Sequence, residues 1–324
     1  MPRKIEISHR TVIFTVLFLL GLWFLYFIRG IVTMLFVAFL LAVILGPLVT
    51  LLGKIKIPRG IAIVITYILF VGIIGGAIAL FTPALVQQTT NFINALPTYL
   101  SNIGINSSTS GDFVSGILNQ FSGLPEGILN ITFSVFSNVI SVVTVLVFTF
   151  YMLMTQGGLK GQINSLFGEE KGKEMSELFT TIEEKLGRWA RGELVLMLAV
   201  GVGMYLGLLA IGIPYALPLA VLSGLFEIVP TLGPIVAAVP AVIIGLGISP
   251  LAGIGAAAVA FLIQQLENYV LVPKIMQKSA GISPLAVLIA IAIGAKLMGI
   301  TGVIIAVPFV IILQVVIKKY FVKE

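Results

Sequence analysis

Four ionisable residues lie within otherwise apolar segments of the C-terminal half of the chain: Glu193, Glu227, Glu267 and Lys296. An unpaired charge inside a lipid bilayer costs several kcal/mol, so such residues usually face a cavity, a partner residue or a solute pathway. Their positions therefore predict where this chain could bind an ion or a polar solute.

Glu227 is the strongest of these candidates because the chain around it cannot form a continuous helix. Pro230 follows it closely, and Gly233 and Pro234 interrupt the chain again. A proline lacks the N–H that would pair with a carbonyl one turn earlier. Free carbonyls beside a carboxylate can bind a cation or a polar substrate, as in the discontinuous helices of secondary transporters. The alternative is a structural kink in which Glu227 caps a helix end at an interface.

A second polar group lies on one face of a predicted helix. Gln264, Glu267 and Asn268 occupy positions i, i+3 and i+4 and so share that face. Lipid offers polar groups no hydrogen-bond partners. This face therefore either lines a pathway or forms hydrogen bonds that hold neighbouring helices together. We hypothesise that Glu227 and Glu267 share a proton or a cation, with Na⁺ as a candidate ligand near both.

The remaining charged residues of this half have simpler interpretations. Lys296 is expected to snorkel to the membrane surface, with pairing to a carboxylate as the alternative. Arg188, Arg191 and Glu193 flank the fifth predicted span. They are interpreted as anchors at the membrane surface, with a role in gating as the alternative. The main candidate pathway residues are therefore those around Glu227 and on the face that carries Gln264 and Glu267.

The composition requires these residues to belong to a membrane protein. The chain has 324 residues, of which 59% are hydrophobic and 10% charged, with a mean hydropathy of +1.15. Soluble domains are about 45–50% apolar and about 25% charged. We predict an all-α polytopic membrane protein with about eight membrane helices, including broken or re-entrant helices in the C-terminal half. The net charge of +6 fits basic loops facing anionic lipid better than nucleic-acid binding.

Residue counts exclude several classes of chemistry. The chain has no Cys, and its one His, His9, lies in the basic N-terminal segment. Thiol chemistry, His-ligated metals and most His-dependent catalysis are therefore excluded. The motifs His-Glu-x-x-His and Gly-x-Ser-x-Gly and the Walker phosphate loop do not occur in the sequence. We predict no enzyme activity, no cofactor and no resident metal, so that any transport is secondary or passive.

Apolar runs, charges and helix-breaking residues divide the chain into five predicted segments. These are a three-span N-terminal segment (1–86), an extracytoplasmic helical insert (87–134), a fourth span (135–155), a cytoplasmic amphipathic segment (156–192) and a C-terminal transport core with Pro/Gly-broken helices (193–324). Lys and Arg are absent from 60–159, and these residues favour cytoplasmic loops. The insert is therefore predicted outside and both termini inside. The broken regions 215–248 and 283–317 are each expected to enter and leave on one side, with two short full spans as the alternative.

Helical spacing of apolar residues predicts further helices in the two polar segments. The insert is expected to contain two short helices, at 92–103 and 113–121. In the cytoplasmic segment, apolar residues from Met175 to Trp189 form a stripe at spacings of three and four. This stripe is expected to lie on the membrane surface or to pack on a partner.

Three motifs of the C-terminal half resemble those of one known family. They are LAIGIPYALP at 209–218, EIVPTLGP at 227–234 and QQLENYVLVPKIM at 264–276. The spacing of Pro284, Gly299, Gly302 and Pro308 is similar as well. The chain resembles the autoinducer-2 exporter family, also called PerM-like transporters, over nearly its whole length. The resemblance implies a multi-pass protein of the prokaryotic cytoplasmic membrane that exports small molecules, including autoinducer-2, and for some members sodium (or lithium)/proton antiport.

From these observations together we expect a secondary transporter that exports a small polar solute and is coupled to Na⁺ or H⁺. The alternatives are a monovalent cation/proton antiporter, a passive channel and a membrane scaffold that transports nothing. The expected partners are the lipid bilayer and the solute. Amphipathic stripes and small-residue faces are compatible with a homo-oligomer.

Overall fold

The chain is helical throughout the part that the structure describes. The computed structural model describes residues 9–104, 139–155, 168–230, 232–276 and 283–321, with a few single positions between 123 and 130. In chain order the helices are α1 His9–Phe27, α2 Arg29–Lys54, α3 Arg59–Asn102, α4 Val139–Thr155, α5 Glu169–Ala210, α6 Ala216–Phe226, α7 Leu232–Ile248, α8 Pro250–Leu266, the π-helical turn Glu267–Leu271, α9 Val272–Ile275, α10 Pro284–Met298 and α11 Ile300–Tyr320. Within these ranges no β-strand occurs, which confirms the predicted all-α class.

Five helical stretches are long and apolar enough to cross a membrane. They are Arg29–Lys54, Arg59–Asn102, Glu169–Ala210, Pro250–Ile275 and Thr301–Tyr320. The shorter apolar helices α4, α6, α7 and α10 accompany them, and large apolar side chains are exposed along α1, α3 and α5. Apolar surface of this extent is not found on soluble monomers. The chain is therefore a multi-pass membrane protein, as predicted.

The helix α3 is longer than the predicted third span. It runs for 44 residues, with Pro83 and Pro97 inside it. The prediction of a separate short helix at 92–103 is therefore wrong, because the chain continues as one helix from the third span. The second predicted helix, at 113–121, lies outside the described residues, and the membrane boundary predicted after residue 86 stays a prediction.

Burial explains why α3 continues beyond its apolar half. Phe92, Leu96 and Leu100 are almost completely buried in a cluster with residues of α5, α6, α7 and α8. At the end of the helix, the Asn102 side-chain amide donates a hydrogen bond of 2.8 Å to the carbonyl of Gly247. The predicted apolar face is confirmed, and its tertiary packing stabilises a helix that its local sequence would not maintain alone.

The helix α5 also joins two elements that the sequence separates. Its 42 residues include both the amphipathic stripe and the fifth predicted span. Leu186 and Trp189 belong to a buried cluster with residues of α2, α10 and α11, and the rings of Phe39 and Phe179 lie 5.6 Å apart between centroids. The stripe therefore packs on helices of its own chain, and its expected position at the membrane surface stays a prediction.

The two broken regions form pairs of helices joined by tight connections. With 11 residues, α6 is about 16 Å long, roughly half the thickness of a hydrocarbon core. Such a length fits the predicted entry and return on one side better than a full span. Between α10 and α11, Gly299 has a φ of 61°, and the backbones of Gly294 and Gly302 touch, so that the two helices pack closely as a hairpin.

Candidate functional site

Three buried carboxyl groups, here called the carboxyl cluster, come from three different elements. Glu193 belongs to α5, Glu227 follows the end of α6, and Glu267 begins the π-helical turn. These residues are 7%, 3% and 6% exposed, respectively. The side chains of Glu227 and Glu267 are neighbours, and Glu193 and Glu227 both lie close enough to Glu267 to experience its charge. The structure thus brings together two of the predicted pathway residues and adds Glu193.

The connection between α6 and α7 positions Glu227. Pro230 cannot pair with the carbonyl of Phe226, and this carbonyl instead accepts a hydrogen bond of 2.9 Å from the Val229 N–H. Gly233 lies so close to Phe226 that a side chain there would overlap the same carbonyl. The predicted break is therefore present, but the carbonyl expected to be free for a cation is already paired. The chemistry of the site consequently depends on the carboxyl groups.

The π-helical turn positions Glu267. The Val272 N–H donates to the Glu267 carbonyl across this wider turn, and turns of this kind are frequent at functional sites. The side-chain amide of Gln264 donates a hydrogen bond of 2.9 Å to Glu267 Oε2. Asn268, by contrast, is exposed. The predicted polar face is therefore divided: Gln264 and Glu267 point into the protein together, while Asn268 lies on its surface.

A small cavity adjoins Glu267. Its volume is about 10 Å³, close to the smallest space that holds one water molecule. Its polar lining comes from Ser223, Gln264 and Glu267, and Pro234 and apolar residues of α5 and α8 complete it. The Ser223 hydroxyl donates to the carbonyl of Leu219. This cavity has room for a water molecule but not for an organic solute.

The carboxyl cluster lacks compensating positive charge in the part of the chain that the structure describes. None of its three members forms a salt bridge there, and Glu227 Oε2 has no hydrogen-bond partner among the described residues. Those residues also contain no group of three or more His, Cys, Asp or Glu side chains arranged to hold a metal ion. Two neighbouring buried carboxyl groups cannot both stay ionised, and a proton on one of them removes their repulsion. The arrangement is therefore suited to binding a proton.

The basic residues that the sequence places near this region serve other purposes. The Arg191 guanidinium donates a hydrogen bond of 2.6 Å to the carbonyl of Val43, and Arg188 forms an ion pair of 3.5 Å with Glu184. Lys296 is exposed and forms no salt bridge within the described ranges. This position agrees with the snorkelling interpretation and not with pairing to a carboxylate.

Glycine contacts bring the elements of the carboxyl cluster close together. A Cβ on Gly224 of α6 would lie 2.7 Å from the Met197 carbonyl and 3.4 Å from the Gly201 Cα on α5. At Gly192, next to Glu193, a Cβ would lie 2.9 Å from the sulfur of Met276. Because these positions carry no side chain, α6 and the segment after α9 approach the backbone of α5 directly.

The sequence is similar to those of known proteins over nearly its whole length. The sequence model described as AI-2E family transporter matches residues 12–322. The chain belongs to the AI-2E transporter family. This result confirms the resemblance noted from the motifs, and it supports a role in membrane transport.

Two similar members of the AI-2E family come from Bacillus subtilis (strain 168). YueF is 29% identical over 319 residues, covering 92% of this chain and 85% of YueF. YrrI is 27% identical over 304 residues, covering 89% of this chain and 86% of YrrI. A protein of Thermotoga maritima is 26% identical over 272 residues, covering 82% of this chain and 83% of that protein. All three are named, only provisionally, as transport proteins.

Glu193 is the member of the carboxyl cluster that the sequence pattern alone does not join to the other two glutamates. With Arg188 and Arg191 it is interpreted as an anchor at the membrane surface, with a role in gating as the alternative. However, Glu193 lies four residues after Trp189, so it continues the apolar stripe of α5 that the sequence does reveal. A carboxylate on a buried helical stripe predicts an internal partner. That spacing was the signal by which Glu193 could have been joined to the other two glutamates.

Proposed function

We propose that this AI-2E family protein is a secondary transporter that exports a small polar solute of the autoinducer-2 type and couples its movement to H⁺. The carboxyl cluster is the observation that carries the proposal. Glu193, Glu227 and Glu267 are buried without a salt bridge in the described part of the chain. Carboxylates in such surroundings are unstable unless they bind a cation, so cation binding and conformation are linked at this site.

The choice of H⁺ over Na⁺ follows from the contacts of Glu227 and Glu267. These two carboxyl groups are buried next to each other, and like charges in such a position cannot both stay ionised unless one group takes up a proton or a cation binds between them. A sodium ion would need several oxygen ligands, and the Phe226 carbonyl next to Glu227 is already paired with a backbone N–H. A proton is therefore the better candidate for the coupling ion.

Proton binding at the carboxyl cluster suggests how coupling would operate. With the proton bound, Glu227 and Glu267 can stay side by side. Loss of the proton would leave two like charges close together, which favours separation of the elements that carry them. Because the cavity beside Glu267 holds about one water molecule, passage of an organic solute at this point would require the connection between α6 and α7 to move away from α5.

Flux measurements in proteoliposomes test this proposal. The purified chain is reconstituted, and entry of labelled autoinducer-2 is followed with an imposed pH gradient, with an imposed Na⁺ gradient and with neither. We expect accumulation above the equilibrium level only with the pH gradient. Protein-free liposomes and the Glu267→Gln variant provide the controls.

Every other outcome contradicts the proposal in a defined way. Accumulation driven only by a Na⁺ gradient would make Na⁺ the coupling ion. Exchange of Na⁺ for H⁺ without any solute flux would identify a monovalent cation/proton antiporter. Leak without accumulation would indicate a passive channel, and no flux under any condition would indicate a scaffold.

We further propose the prokaryotic cytoplasmic membrane as the location, with both termini inside. The distribution of Lys and Arg supports this orientation, and the relatives reported above are prokaryotic proteins. Self-association stays a prediction, which chemical cross-linking in native membranes would test.

A further inference from the structure

A groove lies between the N-terminal part of α5 and the end of α11, away from the carboxyl cluster. Its volume is about 270 Å³. Three lysines, Lys185, Lys318 and Lys319, line it together with one acidic residue, Glu177. These four side chains together carry a net charge of +2. The groove therefore favours an anionic ligand.

The lysines of this basic groove are available to a ligand. Lys185, Lys318 and Lys319 form no salt bridge within the described ranges. Lys319 Nζ donates a hydrogen bond of 2.6 Å to the carbonyl of Glu174, which holds the end of α11 against α5. An ammonium group has three donors, so Lys319 retains two for a ligand.

The remaining walls of the basic groove combine an apolar base with one hydroxyl. Leu178 and Val315 are buried and line the groove below the lysines, and Thr181 lies beside them. A ligand that fits this arrangement has an anionic group next to an apolar part.

The neighbouring residues indicate the depth of the basic groove in the membrane. Thr301–Tyr320 is apolar enough to span a bilayer, and the groove lies at the end of this stretch. Tyr320 and Phe321 follow the two lysines and are 49% and 80% exposed. Aromatic residues at the end of a span concentrate at the level of the lipid headgroups. The lysines of the groove therefore lie at this level, on the predicted cytoplasmic side.

We propose that the basic groove binds the phosphate of an anionic phospholipid, with the start of its acyl chains against Leu178 and Val315. Lysine ammonium groups donate charge-assisted hydrogen bonds to phosphate oxygens, and basic pockets between membrane helices on the cytoplasmic side bind anionic headgroups in this way. The lipid would join α5 to α11. Since α5 also carries Glu193, the lipid would stabilise the packing on which the carboxyl cluster depends.

Lipid retention measured by native mass spectrometry tests this proposal. The full chain is reconstituted in nanodiscs of phosphatidylcholine with phosphatidylglycerol as a quarter of the lipid, then released, and the phosphatidylglycerol that stays bound is counted. We compare the wild type with the triple variant Lys185→Gln, Lys318→Gln, Lys319→Gln. A charge-matched control replaces Lys54, Lys171 and Lys173, which lie outside the groove, by Gln.

We expect the groove variant to lose affinity for phosphatidylglycerol by about fivefold for each lysine removed, while the control, whose lysines do not line the groove, loses clearly less. Equal losses in both variants would show a general surface charge effect and would overturn the proposal. Displacement of phosphatidylglycerol by millimolar inorganic phosphate would also overturn it, because the site would then recognise a free anion. Circular dichroism verifies folding, and the single variants Lys185→Gln and Lys318→Gln replace the triple variant if it unfolds.

Discussion

Glu227 and Glu267 form a buried pair of neighbouring carboxyl groups that cannot both keep their charge without a bound proton or cation. Gln264 holds the second member of the pair by donating to Glu267 Oε2 over 2.9 Å. Because Gln264 donates to this oxygen, the pair has a fixed orientation, and its unpartnered oxygen is Oε2 of Glu227. The site therefore has one defined position at which a proton, or a group that donates one, can bind.

The variant Glu267→Gln tests the role of this pair. An amide has nearly the same shape, and its carbonyl oxygen can still accept the hydrogen bond from Gln264, so packing is retained while proton exchange is lost. We expect solute flux in proteoliposomes to lose its dependence on the pH gradient, with at most about 1 kcal/mol change in stability. Glu184→Gln, in an exposed ion pair with Arg188, is the matched control and should keep the wild-type dependence. A pH-dependent flux that survives in Glu267→Gln would exclude the pair from coupling.

Residue type and spacing predict Glu227, Gln264 and Glu267 as pathway residues, and the structure brings their side chains close together, while their role in transport stays a prediction. The partnership with Glu193 was not identified because it depends on how far along α5 the protein interior extends. Asn268 was assigned to the same face as Gln264 on α-helical spacing, and the π-helical turn removed it from that face. Such a turn changes the rotation of the following side chains, and nothing in the apolar pattern indicates it.

At the scale of elements, the approach of α6 to α5 decides whether the carboxyl cluster can form. The two helices meet where Gly224 faces Gly201, with no side chain between their backbones. The same segment carries Glu227 directly after the end of α6. A change in this distance would therefore move Glu227 relative to Glu193 and Glu267.

The variant Gly224→Ala tests this contact. Its Cβ would lie 2.7 Å from the carbonyl oxygen of Met197, so the helices must separate. We expect a loss of about 1–3 kcal/mol in stability, together with a loss of pH-driven solute flux. Thermal unfolding in detergent and flux in proteoliposomes measure the two effects.

Gly76→Ala is the control for this substitution. No atom outside its own helix lies within 4 Å of the added Cβ, and alanine is the better helix former by up to about 1 kcal/mol. It should therefore leave stability unchanged or slightly increased. Equal effects of both substitutions would mean that glycine at 224 matters through helix propensity and not through the contact with α5.

Element boundaries were predicted less well than element faces. The burial of Phe92 and Leu186 follows from apolar spacing and is confirmed. The continuity of α3 and α5 does not follow, because the prolines in α3 and the charges in α5 resemble the ends of spans. Long-range packing against other helices decides whether such a helix continues, and a single sequence pattern carries no information on those partners.

At the scale of the whole molecule, the orientation in the membrane determines which side of the membrane each of two buried regions faces. The ends of α3 and α5 that pack with α6, α7 and α8 form one buried region, and the N-terminal part of α5 packs with α2, α10 and α11 in another. The charge distribution predicts the first region toward the outside and the second toward the cytoplasm. The cluster residue Glu193 lies on α5 between the two, which is where a coupling site would be exposed alternately to each side.

Cysteine labelling tests this orientation, and the absence of native cysteine removes any background. Ser101 at the end of α3 and Lys171 at the start of α5 are both exposed. With the predicted orientation, Ser101→Cys reacts with a membrane-impermeant maleimide in intact cells, because the end of α3 lies outside. Lys171→Cys reacts only after permeabilisation, while the cysteine-free parent stays unlabelled in both conditions. The reverse pattern would place the end of α3 on the cytoplasmic side and the start of α5 outside, and would contradict the predicted orientation.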